Sequence, residues 1–157
     1  MQLIALFQWI EGLHAVRLIV TVPGVYPTIS ALHILGIGVL LGSIAPVDLR
    51  LLRVLGSKFD AVIPTLIRMA LIGFAVAATT GLLLASVRIG HYAQNPAFLA
   101  KLAILLASGS NAIALHIVSR PDDVVSMVGR PRGRATAIAS LSLWLGAVFA
   151  GRWIAFA

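Results

Sequence analysis

Four histidines, His14, His33, His91 and His116, and Lys101 within an apolar run are the side chains here best suited to hold a cofactor. Imidazole is a regular axial ligand of b-type haem. An ionisable group inside a membrane span is a functional candidate by default, because hydrocarbon offers it no water. His33 stands in the long apolar stretch YPTISALHILGIGVLLGSIAPVDLR, with Gly36 about one turn further on. His116 follows Ala112 and Gly109, one and two turns earlier on its own face. Small neighbours of that kind leave room for a flat porphyrin against a helix, and bundle cofactors are held by side chains that project inward from facing helices. The same residues also fit a plainer role, in which each imidazole hydrogen-bonds across the bundle to a hydroxyl or carbonyl.

Depth separates the possible pairs. His33 is about two turns from the outer end of its helix, and His116 about one turn from the opposite end of its own. At about 1.5 Å per residue across a 30 Å core, the two differ in height by roughly 15 Å. Two ligands of one iron must lie at nearly the same height, so a His33–iron–His116 pairing requires helix tilt to bring them together. His91, in the outer loop, and His14, near the outer surface, match His33 better in depth. An outer haem b held by His33 with His91 or His14 is the better geometric expectation, its propionates meeting Lys101, Arg88 or Arg152. Lys101 otherwise snorkels to the surface. Quinone in the bilayer is the candidate redox partner of such a site.

The remaining polar residues give weaker signals. Asp48 and Arg68 fall at the same end of adjacent spans and form an expected ion pair; Asn111 is placed to hydrogen-bond between helices. There is no H-E-x-x-H pattern and no histidine pair at i and i+4. Asp122-Asp123 reads as a solvated turn beside arginine. A metal site would fall to His33 and His116, with Met69 or Met127 as soft donors for copper. Cysteine is absent, which removes disulfides, iron–sulfur clusters and covalently attached c-type haem.

The elements that must carry these residues are membrane helices. The chain is 60% hydrophobic and only 11% charged, with mean hydropathy +1.02, whereas soluble domains average about 25% charged residues. The net charge of +7 comes from twelve basic and five acidic residues. The basic residues cluster between apolar runs as the positive-inside rule requires, so the charge reports topology and not nucleic-acid binding. Residues 1–22 carry Gln8, Glu11, His14 and Arg17 at intervals of three on an apolar background, the pattern of an amphipathic helix lying in the interface. Pro23-Gly24 breaks it. Four spans follow, at about 27–55, 60–89, 96–119 and 135–157. Pro27 suits the first helical turn of the first span, and Gly56 its C-cap; Ser57 or Asp60 caps the second span and Asn95 the third. Gly38 and Gly42 form a G-x-x-x-G pair, and Gly73, Ala77 and Gly81 make a second small-residue strip.

The expected fold is therefore all-α: one transmembrane domain over 1–157, an integral four-helix bundle with an N-terminal interfacial helix. Arg50, Arg53, Lys58, Arg120, Arg130, Arg132 and Arg134 fall in the loops at one end, which places that end in the cytoplasm and both termini outside.

The segments VYPTISALHILGIGVLLGSIAPVDLRLL, ATTGLLLAS and NPAFLAKLAILLASGSNAIALH, within residues 25–117, resemble a poorly characterised family of small bacterial multi-span membrane proteins. More loosely the chain is similar to membrane b-type cytochromes and to copper-resistance-D-like membrane domains. The resemblance implies a bacterial inner-membrane location and marks His33, Lys101, Asn111 and His116 as pattern positions. The leading functional expectation is a haem-bearing electron-transfer protein or subunit of a membrane redox complex. The alternative is a non-catalytic anchor that packs against partner membrane proteins or copies of itself.

Overall fold

The computed structural model describes the backbone of residues 2–118, 121–154 and 156, while the side chains of residues 2, 3 and 114–123 lie outside the described set. All regular structure among the described residues is helical: α1 (Gln2–Gly12), α2 (His14–Thr21), α3 (Val25–Leu51), a 3₁₀ segment (Ser57–Val62), α4 (Ile63–Ser86), α5 (Ile89–Tyr92), α6 (Pro96–Val118), α7 (Pro121–Ser126) and α8 (Pro131–Trp153). Among the described residues, four helical stretches are long and apolar enough to cross a membrane, Val25–Leu51, Ser57–Ser86, Pro96–Ile113 and Pro131–Trp153, as in a multi-pass membrane protein, and the bent pair Ile4–Gly12 and His14–Thr21 would make a fifth if it is one span.

Small residues recur on the inward faces of three spans beside a few large ones. On α3 the buried positions are Gly36, Leu40, Ser43, Val47, Asp48 and Leu51; on α4, Ile63, Ile67, Ala70, Gly73, Ala77, Thr80 and Ala85; on α8, Gly133, Ala137, Ser140, Trp144 and Ala147. Ile34, Leu35, Ile72, Leu82 and Leu106 stand exposed. The pattern follows from the solvent: lipid tails are as apolar as leucine, so helices associate by close packing more than by hiding apolar bulk. The closest approach is the α3–α4 seam. A Cβ on Gly36 would come 2.7 Å from the Ala77 nitrogen, and one on Gly73 2.5 Å from the Leu40 nitrogen. Gly38 and Gly42 have nothing within 4 Å, so the expected G-x-x-x-G pair is not the contact inside this bundle. It faces away from Gly36, between a third and a half of a turn round the helix.

The helices pack in the spatial order α4, α3, α8, α6. Contact is most extensive between α3 and α4, then between α6 and α8, with α3 also touching α8 and no extended packing between α4 and α6. At one end a cluster of Val47, Leu51, Ile63, Ile67, Val124, Met127 and Ala137 closes the bundle. At the other end the N-terminal segment packs α1 on α5 and α2 on α3, and Glu11 Oε1 accepts the Gly90 amide at 3.0 Å.

The element ends differ from the sequence expectations in instructive ways. The N-terminal segment is two helices bent by 60°. Gly24, at φ 88°, precedes α3, which starts two residues before Pro27. The residue that turns the chain beyond α3 is Arg53, at φ 65°, and not Gly56. Asp60 does not cap α4: it receives Arg50 Nε at 2.6 Å and Nη2 at 3.1 Å, a forked pair that ties the 3₁₀ segment to α3. Pro131 begins α8 four residues earlier than expected, and α7 occupies part of the presumed loop. Asn95 is the cap foreseen, its Oδ1 accepting the Phe98 amide at 3.0 Å.

Candidate functional site

A cavity of about 450 Å³ opens between the spans where α4 and α6 part. It is walled by His33, Ile37, Leu40 and Leu41 from α3, by Phe74 through Ala85 on α4, and by Phe98 through Leu105 on α6. On α8 its lining runs from Trp144 to Arg152. The volume lies within the roughly 300–1,000 Å³ of small-molecule sites. Its wall is apolar and partly aromatic, Trp144 meeting Phe74 edge-on with centroids 6.0 Å apart. Three groups carry polarity into it: His33, Lys101 and Arg152.

His33 continues the inward stripe of α3 one turn before Gly36. Its Nδ1 lies 2.8 Å from the Ala77 carbonyl and 3.1 Å from Thr80 Oγ1. A carbonyl only accepts, so Nδ1 is the protonated nitrogen of the neutral ring and Nε2 keeps its lone pair. Thr80 cannot compete for the role of donor to the ring, because its hydroxyl donates to the Val76 carbonyl at 2.6 Å. Gly81 makes the space for this arrangement: a Cβ there would lie 2.9 Å from His33 Cε1. Gly36, expected to leave room beside the imidazole, instead admits the α4 backbone. The glycine that accommodates the ring is on the facing helix, which spacing within one helix could not reveal.

Lys101 projects from the second turn of α6 toward α8, where a Cβ on Gly151 would come 3.1 Å from Nζ. No carboxylate forms an ion pair with it among the described residues, where Arg50–Asp60 is the ion pair present. Arg152, one helical position beyond Gly151, is exposed at the rim, with its guanidinium 5.3 Å from the Phe156 ring centroid.

The other expected site residues lie elsewhere. His14 and His91 are exposed; neither lines the cavity, and His91 lies beside Tyr92, with ring centroids 5.9 Å apart. The side chain of His116 lies outside the described residues, as do those of Asp122 and Asp123. No group of three or more His, Cys, Asp or Glu side chains is placed to hold a metal ion among the described residues. The expected Asp48–Arg68 pair does not form. Arg68 is exposed, whereas Asp48 is 2% exposed, turned toward Ser140 of α8, with Oδ2 lacking a hydrogen-bond partner. Asp48 faces into the bundle while Arg68 faces out of it, a relation set by helix rotation. Asn111 fulfils its expected role, Nδ2 donating to the Thr136 carbonyl of α8 at 3.2 Å. Trp144 of α8 is a further wall of the cavity.

No curated protein and no solved structure matches the chain. The model of a family of unknown function, DUF6644, matches residues 6–157, and the chain belongs to that family.

Proposed function

We propose that this protein binds a b-type haem in the cavity between its four spans, with His33 as an axial ligand, and passes electrons within the membrane. The observation that carries the reading is the state of His33. Its Nδ1–H is tied to the Ala77 carbonyl, and a ligating histidine characteristically donates its other ring N–H in this way, which fixes tautomer and orientation. The residues present fit the group. An apolar, aromatic wall suits the macrocycle, and Lys101 and Arg152 suit carboxylate arms. Among the described residues the lining supplies one imidazole, His33. A bound haem would supply one-electron transfer; His33 would hold it, and Phe74, Leu40 and Trp144 would keep water from it. The basic loops around residues 50–60 and 130–134 would face the cytoplasm of a bacterial inner membrane.

The test is a reduced-minus-oxidised spectrum and a pyridine haemochrome assay on protein purified from membranes. The expected result is a b-type spectrum that is lost in His33→Ala and retained in His91→Ala and His14→Ala. Absence of haem absorbance in the wild-type protein ends this reading.

A second reading, an accessory subunit, draws support from Gly38 and Gly42. Both are exposed on α3 with nothing within 4 Å, and such a pair allows another helix to approach closely. Native mass spectrometry from mild detergent distinguishes a stoichiometric assembly from a solitary chain.

A further inference from the structure

We propose that Lys101 and Arg152 make the cavity selective for single-chain amphiphiles with an anionic head, taken sideways from the bilayer through the gap between α4 and α6. The proposal concerns the cavity without haem, whose carboxylate arms would engage the same two cations, and it is tested on protein free of haem absorbance. It starts from a mismatch of charge. Two cationic side chains line a cavity that is otherwise apolar, and no carboxylate pairs with Lys101 among the described residues. The acids whose side chains are described are committed elsewhere: Asp60 to Arg50, Glu11 to the Gly90 amide, and Asp48 against Ser140 of α8. An ammonium drawn into apolar surroundings without a counter-charge is unfavourable, and such residues in spans pair with an acid or mark a ligand path. A bound carboxylate or phosphate would provide the missing partner.

The shape of the site specifies the rest of the ligand. The cationic groups sit at one end, near the start of α6 and the end of α8, and the wall continues as Leu102, Leu105, Ile37, Leu41 and Phe74 toward the middle of the spans. A polar head with one apolar chain running along the helices matches that polarity. About 450 Å³ accommodates a single chain. The way in is lateral. α4 and α6 lack extended packing, and lining residues at this gap are themselves exposed, Leu82 at 71% and Leu102 at 39%. Lipid therefore reaches the cavity without crossing water.

Intrinsic fluorescence reads the test directly, because Trp144 lines the cavity while Trp9 and Trp153 are exposed. In detergent-solubilised full-length protein carrying Trp9→Phe and Trp153→Phe, energy transfer from Trp144 to a naturally fluorescent polyene fatty acid is titrated, with its methyl ester as the uncharged control. The acid is expected to bind roughly tenfold or more tightly than the ester, the scale of one charge-assisted contact. Lys101→Gln is expected to weaken that preference, Lys101→Gln with Arg152→Gln to remove it and Lys101→Arg to keep it; ester binding should be equal in all of them, which shows that the fold is intact. Competition by a single-chain lysophosphatidic acid separates a phosphate head from a carboxylate. Equal binding of acid and ester, no binding of either, or a preference that survives loss of both cations would each overturn the proposal. His33→Ala, which lacks haem on the other reading, is expected to bind the fatty acid with the same preference, so failure of the haem reading and failure of this one give different results.

Discussion

Replacing Gly73 with alanine places one methyl group where two helices touch backbone to backbone. Its Cβ would stand 2.5 Å from the Leu40 nitrogen, 2.9 Å from the Gly36 carbonyl oxygen and 3.0 Å from Leu40 Cα. Non-bonded carbon contacts are comfortable at about 3.5 Å or more, so α4 must withdraw from α3 by about 1 Å. All three atoms are main-chain, and no side chain can rotate to absorb the strain. Overpacking of this kind costs about 1–3 kcal/mol, against which alanine regains about 0.5–1 kcal/mol of helix propensity over glycine. The net expectation is a loss of between about 0 and 2.5 kcal/mol, centred near 1 kcal/mol. The same withdrawal stretches the 2.8 Å bond between His33 Nδ1 and the Ala77 carbonyl to about 3.8 Å, beyond hydrogen-bonding range. Gly73→Ala should therefore lower both the temperature at which the detergent-solubilised protein stops eluting as a single species and its retention of ligand. Gly38→Ala and Gly42→Ala, with open space around them, should leave ligand retention unchanged and the elution temperature unchanged or raised by that same propensity gain. If Gly73→Ala is as stable as Gly38→Ala, the account of the α3–α4 seam is wrong.

Two further outcomes follow from the same geometry. Asn111→Leu removes the Asn111–Thr136 bond between α6 and α8 and is expected to cost about 1 kcal/mol or less, measured by the same thermal assay; a larger loss would mean that the bond has been undervalued. The cysteine-free chain permits clean topology mapping: with single cysteines at Lys58 and Gln94, a membrane-impermeant maleimide applied to spheroplasts should label position 94 and spare position 58, and the reverse labelling would invert the assigned orientation.

The sequence by itself determined that the chain is a helical membrane protein with four spans, because mean hydropathy, segment length and proline or glycine punctuation are local properties that lipid reads directly. It also identified Asn95 as a cap and Asn111 as a cross-helix donor, since each depends mainly on position within its own helix. Tertiary structure decided what depends on how neighbouring helices are rotated and spaced. Gly36, legible as open space beside His33, is filled by the α4 backbone, while Gly81 from the other helix makes room for the imidazole. Gly38 and Gly42 carry a recognisable contact motif on the face away from α4, and Asp48 and Arg68, adjacent in height, point apart. His33, Lys101, Trp144 and Arg152 come from three different helices and share no spacing that one strand of sequence could display. Only the parting of α4 from α6 joins them around one cavity.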